Sequence, residues 1–127
     1  MPTNSLPGSP PVRVLLIDDD RDDYVLTRDL LADVRGDRYR LDWAPDYETG
    51  LAAVLAGEHD VCLLDYRLGP KTGLDLLAEV RAAGSTAAII LLTGQSASEI
   101  DLAAAAAGAD DYLEKGKLDA TLLERAV

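Results

Sequence analysis

Cysteine, phenylalanine and basic residues are scarce in this 127-residue chain, and each scarcity narrows what it can be. Cys62 is the only cysteine, so no intrachain disulfide can form, and a reducing cytoplasm is the expected compartment. With one cysteine and one histidine, His59, a zinc cluster of the Cys/His type is out of reach. Lys and Arg number 12 against 23 Asp and Glu, a formal net charge of -11. So acidic a surface repels phosphate backbones, and direct nucleic-acid binding is not expected. No apolar run approaches the roughly 18 residues of a membrane span. The opening Met-Pro-Thr-Asn-Ser has neither the basic stretch nor the apolar core of a secretory signal. Proline is rare beyond the start: four of the six fall within residues 1–11, which read as a disordered tail outside the fold. The rest, 48% hydrophobic and 28% charged over the whole chain, suits one small soluble domain.

From Val12 the pattern is regular. Val12 to Ile17 is a short, nearly continuous apolar run, as expected of a strand covered on both faces, and it stops in Asp18-Asp19-Asp20. A helical period comes next, with Tyr24, Val25, Leu26, Leu30, Leu31 and Val34 on one broad stripe, Asp20 as N-cap and Gly36 at its end. Beyond it lie a strand at 38–44, a helix at 46–56 closed by Gly57, and a strand at 60–64 that ends in Asp65. A loop at 66–71 leads into a helix over 72–83 closed by Gly84, then a strand at 87–92 ending in Thr93-Gly94. An Ala-rich helix over about 98–107, a strand at 111–114 ending in Lys115, and a helix from near Asp119 complete the chain. Five strand–helix alternations predict an α/β fold, a doubly wound parallel sheet with helices on both faces. The last helix is still running at Val127, so a longer parent protein is expected.

In such a sheet, ligands bind beyond the carboxyl ends of the strands. The first strand delivers Asp18, Asp19 and Asp20 there, the third Asp65, the fourth Thr93 and the fifth Lys115. Converging carboxylates resist joint ionisation unless a counter-charge is supplied, and a hard dication with oxygen ligands such as Mg2+ supplies it. A lysine and a hydroxyl suit the equatorial oxygens of a transferring phosphoryl group, and a carboxylate can be the nucleophile that forms an acyl phosphate. Together these residues point to Mg2+-dependent phosphoryl transfer to an aspartate.

Leu15-Leu-Ile-Asp-Asp-Asp20, Leu63-Leu-Asp-Tyr-Arg-Leu-Gly-Pro70 with Gly73, Leu91-Leu-Thr-Gly94 and Asp111-Tyr-Leu-Glu-Lys115 stand in order, each at a strand end. In these motifs the chain, from Val12 onward, resembles a response-regulator receiver domain of two-component signalling. The resemblance implies a flavodoxin-like (βα)5 domain over 12–127 with five parallel strands in the order 2-1-3-4-5. It implies Asp65 as phosphoacceptor, with Lys115 pairing with the phosphoryl group. Thr93 matches the switch hydroxyl and Tyr112 the aromatic whose rotamer follows it. Mg2+ would be held by Asp18, Asp19, Asp65 and the backbone carbonyl of Arg67, with Arg67 and Gln95 placed to tune the lifetime of the phosphoryl group. The donor would be a phosphohistidine on a sensor histidine kinase or phosphotransfer protein. The response would pass through the face built from the fourth helix, fifth strand and fifth helix to an output domain or a second copy. The implied role is a cytoplasmic switch, not an enzyme with turnover. Gly116 follows Lys115 where most receivers have a proline, and Pro70 stands one place later than in the common pattern.

Other readings weigh less. Asp18 and Asp20, Thr93, Lys115 and the pair Asp110-Asp111 loosely echo haloacid-dehalogenase phosphohydrolases, which use an aspartyl nucleophile. There, however, the acidic pair follows the lysine, and 127 residues is short for that family. Asp20, Asp22 and Asp23 read as helix-capping acids, His59 as exposed and inert, and Cys62 as strand packing.

Overall fold

The computed structural model describes residues 12–35, 39–93 and 108–114. Along the chain run β1 (Val12–Ile17), α1 (Arg21–Arg35), β2 (Tyr39–Ala44), α2 (Tyr47–Ala56), β3 (Val61–Asp65), β4 (Arg67–Leu68), β5 (Lys71–Thr72), α3 (Gly73–Ala82), β6 (Ile89–Thr93) and β7 (Asp111–Glu114). Five strands form one sheet in the order β2-β1-β3-β6-β7, each neighbouring pair parallel. With the small β4–β5 ribbon set aside, this is the expected order 2-1-3-4-5. The Ala-rich helix, Gln95, Lys115, Gly116, the terminal helix and the 1–11 tail lie outside the described residues.

Alternation along β1 builds two cores. Val14 and Leu16 face Leu31, Leu63, Ile90, Leu92 and Leu113 on the α1 side. Leu15 and Ile17 face Val54, Leu64, Leu76, Val80 and Leu91 on the α2 and α3 side. Every residue of β3 and β6 is buried, as strands covered on both faces require. Local signals set the helix ends. Asp46 caps α2 by accepting from the Thr49 backbone N–H at 2.8 Å, and Gly57 closes it at φ 70. Thr72 and Asp75 form a reciprocal capping box at the start of α3.

Three expectations are corrected. The 66–71 segment is not a plain loop: β4 and β5 pair antiparallel around Gly69 and Pro70. Leu26 leaves the apolar stripe and is 45% exposed. The His59 side chain is only 8% exposed, and its Nε2 lies 2.8 Å from the Asp42 carboxylate on β2.

Arg81 ties the far side of the sheet together. From α3 its guanidinium donates to the carbonyls of Ser85, Ala87 and Gly108, at 2.8–3.1 Å, and to the Asp110 carboxylate at 3.3 Å. The same Asp110 oxygen accepts from the Ile89 N–H at 2.8 Å, so one side chain links α3 to the entries of β6 and β7. Charge-assisted bonds of this kind contribute roughly 1.5–3 kcal/mol each before their mutual dependence is considered. Arg81→Ala is therefore expected to lower the free energy of unfolding by about 2–3 kcal/mol in urea titration. A change below about 0.5 kcal/mol, the size typical of ordinary surface sites, would contradict that linking role.

Candidate functional site

Strand register places the candidate residues at one rim. Ile17 is level with Leu64, and Asp65 with Leu92, so Asp18, Asp65 and Thr93 leave the sheet at neighbouring steps of its carboxyl edge. Residues at these apolar strand ends are drawn into the sheet's cover: Asp18 is 0% exposed, Asp65 6% and Thr93 1%. Asp19, one residue further from β1, is exposed. A carboxylate oxygen from each of Asp18, Asp19 and Asp65 lies within 4.8 Å of the other two. Of the residues expected to converge, these three acids are brought together in the folded chain.

Backbone contacts hold these acids. The Asp18 N–H donates to the Ala44 carbonyl at 3.1 Å, the Trp43 indole N–H donates to the Asp18 carbonyl at 2.7 Å, and Asp18 Oδ1 accepts from the Asp20 N–H at 2.9 Å. Asp19 Oδ2 accepts from the Gly69 N–H at 3.2 Å, which joins the ribbon after Asp65 to the acids after β1. That turn is possible because Gly69 sits at φ 68, the left-handed region that favours glycine. The Tyr66 N–H donates to the Leu92 carbonyl at 2.8 Å, and the Gly73 N–H to the Tyr66 carbonyl at 2.6 Å, closing the segment after Asp65 onto β6 and α3. Arg67 opens the ribbon two residues after Asp65, and its side chain is exposed.

Three carboxylates this close repel one another, and a cation bound among them would offset that repulsion. All donors are hard oxygens, with no imidazole or thiolate among them, a set suited to Mg2+ or Ca2+ rather than zinc or copper. Beside Asp19 lies an apolar-floored cavity of about 280 Å³, bordered by Tyr47, Leu68, Pro70 and Lys71. The Lys71 ammonium stands 4.4 Å from the centre of the Tyr47 ring, and the Tyr47 hydroxyl donates to Glu79 at 2.7 Å. Burial, aided by Glu79, pushes the Tyr47 phenol above its ordinary range, so it stays protonated and donating. Burial likewise lifts the Cys62 thiol to about 11, in keeping with packing rather than reactivity.

Tyr112 lies on β7 level with Leu91, and Thr93 is level with Glu114. Lys115 lies outside the described residues. Sequence reasoning missed Trp43, since its contact with Asp18 spans 25 positions and no local pattern reports it.

The family model described as the response regulator receiver domain matches residues 14–127. Among curated proteins, the transcriptional regulatory protein RprY of Bacteroides fragilis is 36% identical over 104 residues, 82% of this chain and 43% of its own length. DltR of Streptococcus agalactiae, also a transcriptional regulatory protein, is 38% identical over 104 residues, 82% of this chain and 45% of its own. The chain therefore spans less than half the length of these relatives. A CheY-like response regulator receiver domain protein from Methanospirillum hungatei superposes with a TM-score of 0.76 at 27% identity, covering 91% of this chain and 90% of its own. None of these three is a phosphohydrolase of the haloacid-dehalogenase type.

Proposed function

The chain belongs to the response regulator receiver domain family, and from that premise we propose that it is a phosphorylation switch with Asp65 as phosphoacceptor. The single observation that carries this reading is the meeting of three carboxylates from β3 and the β1–α1 turn within 4.8 Å. Asp18, Asp19, Asp65 and the Arg67 carbonyl would hold Mg2+, which supplies positive charge against the donor's phosphoryl oxygens as they approach an anionic pocket. A carboxylate oxygen of Asp65 forms the new P–O bond while the donor's P–N bond breaks, and the leaving imidazole takes its proton from solvent. Thr93 donates its hydroxyl to a phosphoryl oxygen, and Lys115 pairs with another. Tyr112 follows Thr93 inward, and the surface around the fifth strand of the fold changes shape. New charge-assisted hydrogen bonds of this type bias a two-state element by a few kcal/mol at most.

The partner is a phosphohistidine-bearing sensor kinase or phosphotransfer protein in the cytoplasm. The switched face is read by an output domain of a longer parent protein or by a second copy of the chain. Residues 12–127 form the receiver unit and 1–11 a tail that takes no part. Among the described residues, no helix is long and apolar enough to cross a membrane. The role is stoichiometric: the chain acts on its own aspartyl phosphate and turns over no external substrate. Incubation with a small phosphoamidate or acyl phosphate donor and Mg2+ is expected to add one phosphoryl group per chain, measured by intact mass. Hydroxylamine should remove it, and a chelator should prevent its formation. Steady release of phosphate from a phosphate monoester without labelling would overturn this assignment.

A further inference from the structure

We propose that Trp43 is a positioning residue for the acidic pocket, acting through the main-chain carbonyl of Asp18; the inference rests on the cation-binding reading above. Trp43 is the chain's only tryptophan and sits half-buried on β2, the edge strand of the sheet. Its ring stacks on Tyr24 of α1, with centroids 4.8 Å apart and planes 10° from parallel. The Arg28 guanidinium stands 5.8 Å from the Tyr24 ring centre, on the same helix. The stack sets the plane of the indole, and its N–H then meets the Asp18 carbonyl at 2.7 Å.

Peptide geometry decides what that bond controls. The carbonyl of Asp18 and the N–H of Asp19 belong to one rigid plane. Holding the carbonyl fixes the orientation of that plane, and so restricts ψ of Asp18 and the position of the Asp19 Cα. The Asp18 N–H is already held by Ala44, the residue after Trp43, so consecutive residues of β2 grip both sides of Asp18. The Asp19 carboxylate, carried on from that plane, is received by the Gly69 N–H. Mutual repulsion within the cluster tends to spread the acids, and rotation of this plane is one way to spread them. The indole resists that rotation. A phenyl ring can still stack on Tyr24, but it has no N–H to meet this carbonyl at 2.7 Å.

Trp43→Phe keeps the stacked ring and removes the donor. It is expected to weaken Mg2+ binding by about tenfold in calorimetric titration, the low end of the loss seen when an outer partner of a metal ligand is removed. Labelling by a small phosphodonor should need correspondingly more Mg2+ for half-maximal rate, yet reach the parent rate at saturation. In the parent chain the single indole N–H resonance should shift on adding Mg2+, with the same midpoint as the calorimetric curve. Should Trp43→Phe fail to fold, 3-benzothienylalanine at position 43 has the indole's shape without its N–H and should give the same weakening. An unchanged Mg2+ midpoint in either variant, or an indole resonance indifferent to Mg2+, would overturn the inference while the parent's Mg2+ binding left the site reading intact. If the parent itself bound no Mg2+, and Asp19→Asn behaved identically to it, both would fall.

Discussion

Asp65→Asn takes up no hydroxylamine-labile phosphate from a small donor, with labelling reduced by about a thousandfold or more relative to the parent chain. The size of the effect reflects the groups that the substitution removes. A carboxylate oxygen is an anionic nucleophile, and the amide that replaces it is neutral and far weaker. One of the three clustered carboxylate charges is lost at the same time. The shape is preserved, which separates chemistry from folding. Asp65 is 6% exposed and closes a strand whose every residue is buried, and asparagine fills the same volume. The variant should therefore still fold, which urea unfolding checks. Asp19→Asn provides the contrast. It removes the exposed member of the proposed cation site but leaves the proposed nucleophile, so its labelling should recover as Mg2+ is raised, whereas that of Asp65→Asn should not. Recovery of Asp65→Asn at high Mg2+, or a labelled peptide that excludes residue 65, would move the acceptor elsewhere.

Much of this site is legible in the residue order alone, for a physical reason. In a parallel sheet the residue that ends each apolar run must leave at the carboxyl rim, so Asp18, Asp65 and Thr93 can be gathered without knowing a single distance. Strong local chemistry makes some boundaries equally plain: β1 coincides with the apolar run 12–17, and Asp46 and Gly57 bound α2. Contacts between distant segments are what the sequence hides. His59 finds Asp42 across 17 positions, and Trp43 finds Asp18 across 25. The ribbon of β4 and β5 is two residues a side, too short for periodicity to reveal. The helical stripe that includes Leu26 is broader than the surface it meets: Leu31, with Tyr24 and Leu30 partly buried beside it, packs against the sheet.

Gly73→Ala should destabilise the chain by about 3 kcal/mol, although helix propensity alone favours alanine by up to about 1 kcal/mol. The steric argument is specific. A Cβ built on Gly73 collides with the backbone carbonyl oxygen of Asp65, and stands 3.1 Å from the Asp65 carbonyl carbon and 3.2 Å from Leu64 Cγ. None of these atoms can move cheaply. Leu64 is paired with Ile17 on one side and Leu91 on the other, and Asp65 is level with Leu92. Gly73 itself opens α3 behind the Thr72 capping box, with its N–H committed to the Tyr66 carbonyl. The methyl must therefore push the start of α3 off β3, or tilt the end of β3 and carry the Asp65 carboxylate with it. Either response damages the site as well as the fold, so labelling of the folded fraction should also slow. Gly69→Ala separates this close approach from simple backbone preference. Gly69 lies at φ 68 with nothing within 4 Å of its added Cβ, so only the left-handed penalty of about 1–2 kcal/mol applies. Urea unfolding of the two variants side by side should rank Gly73→Ala as the more damaging. Equal midpoints for Gly73→Ala and the parent would mean that α3 does not seat against the acceptor strand as closely as its backbone indicates.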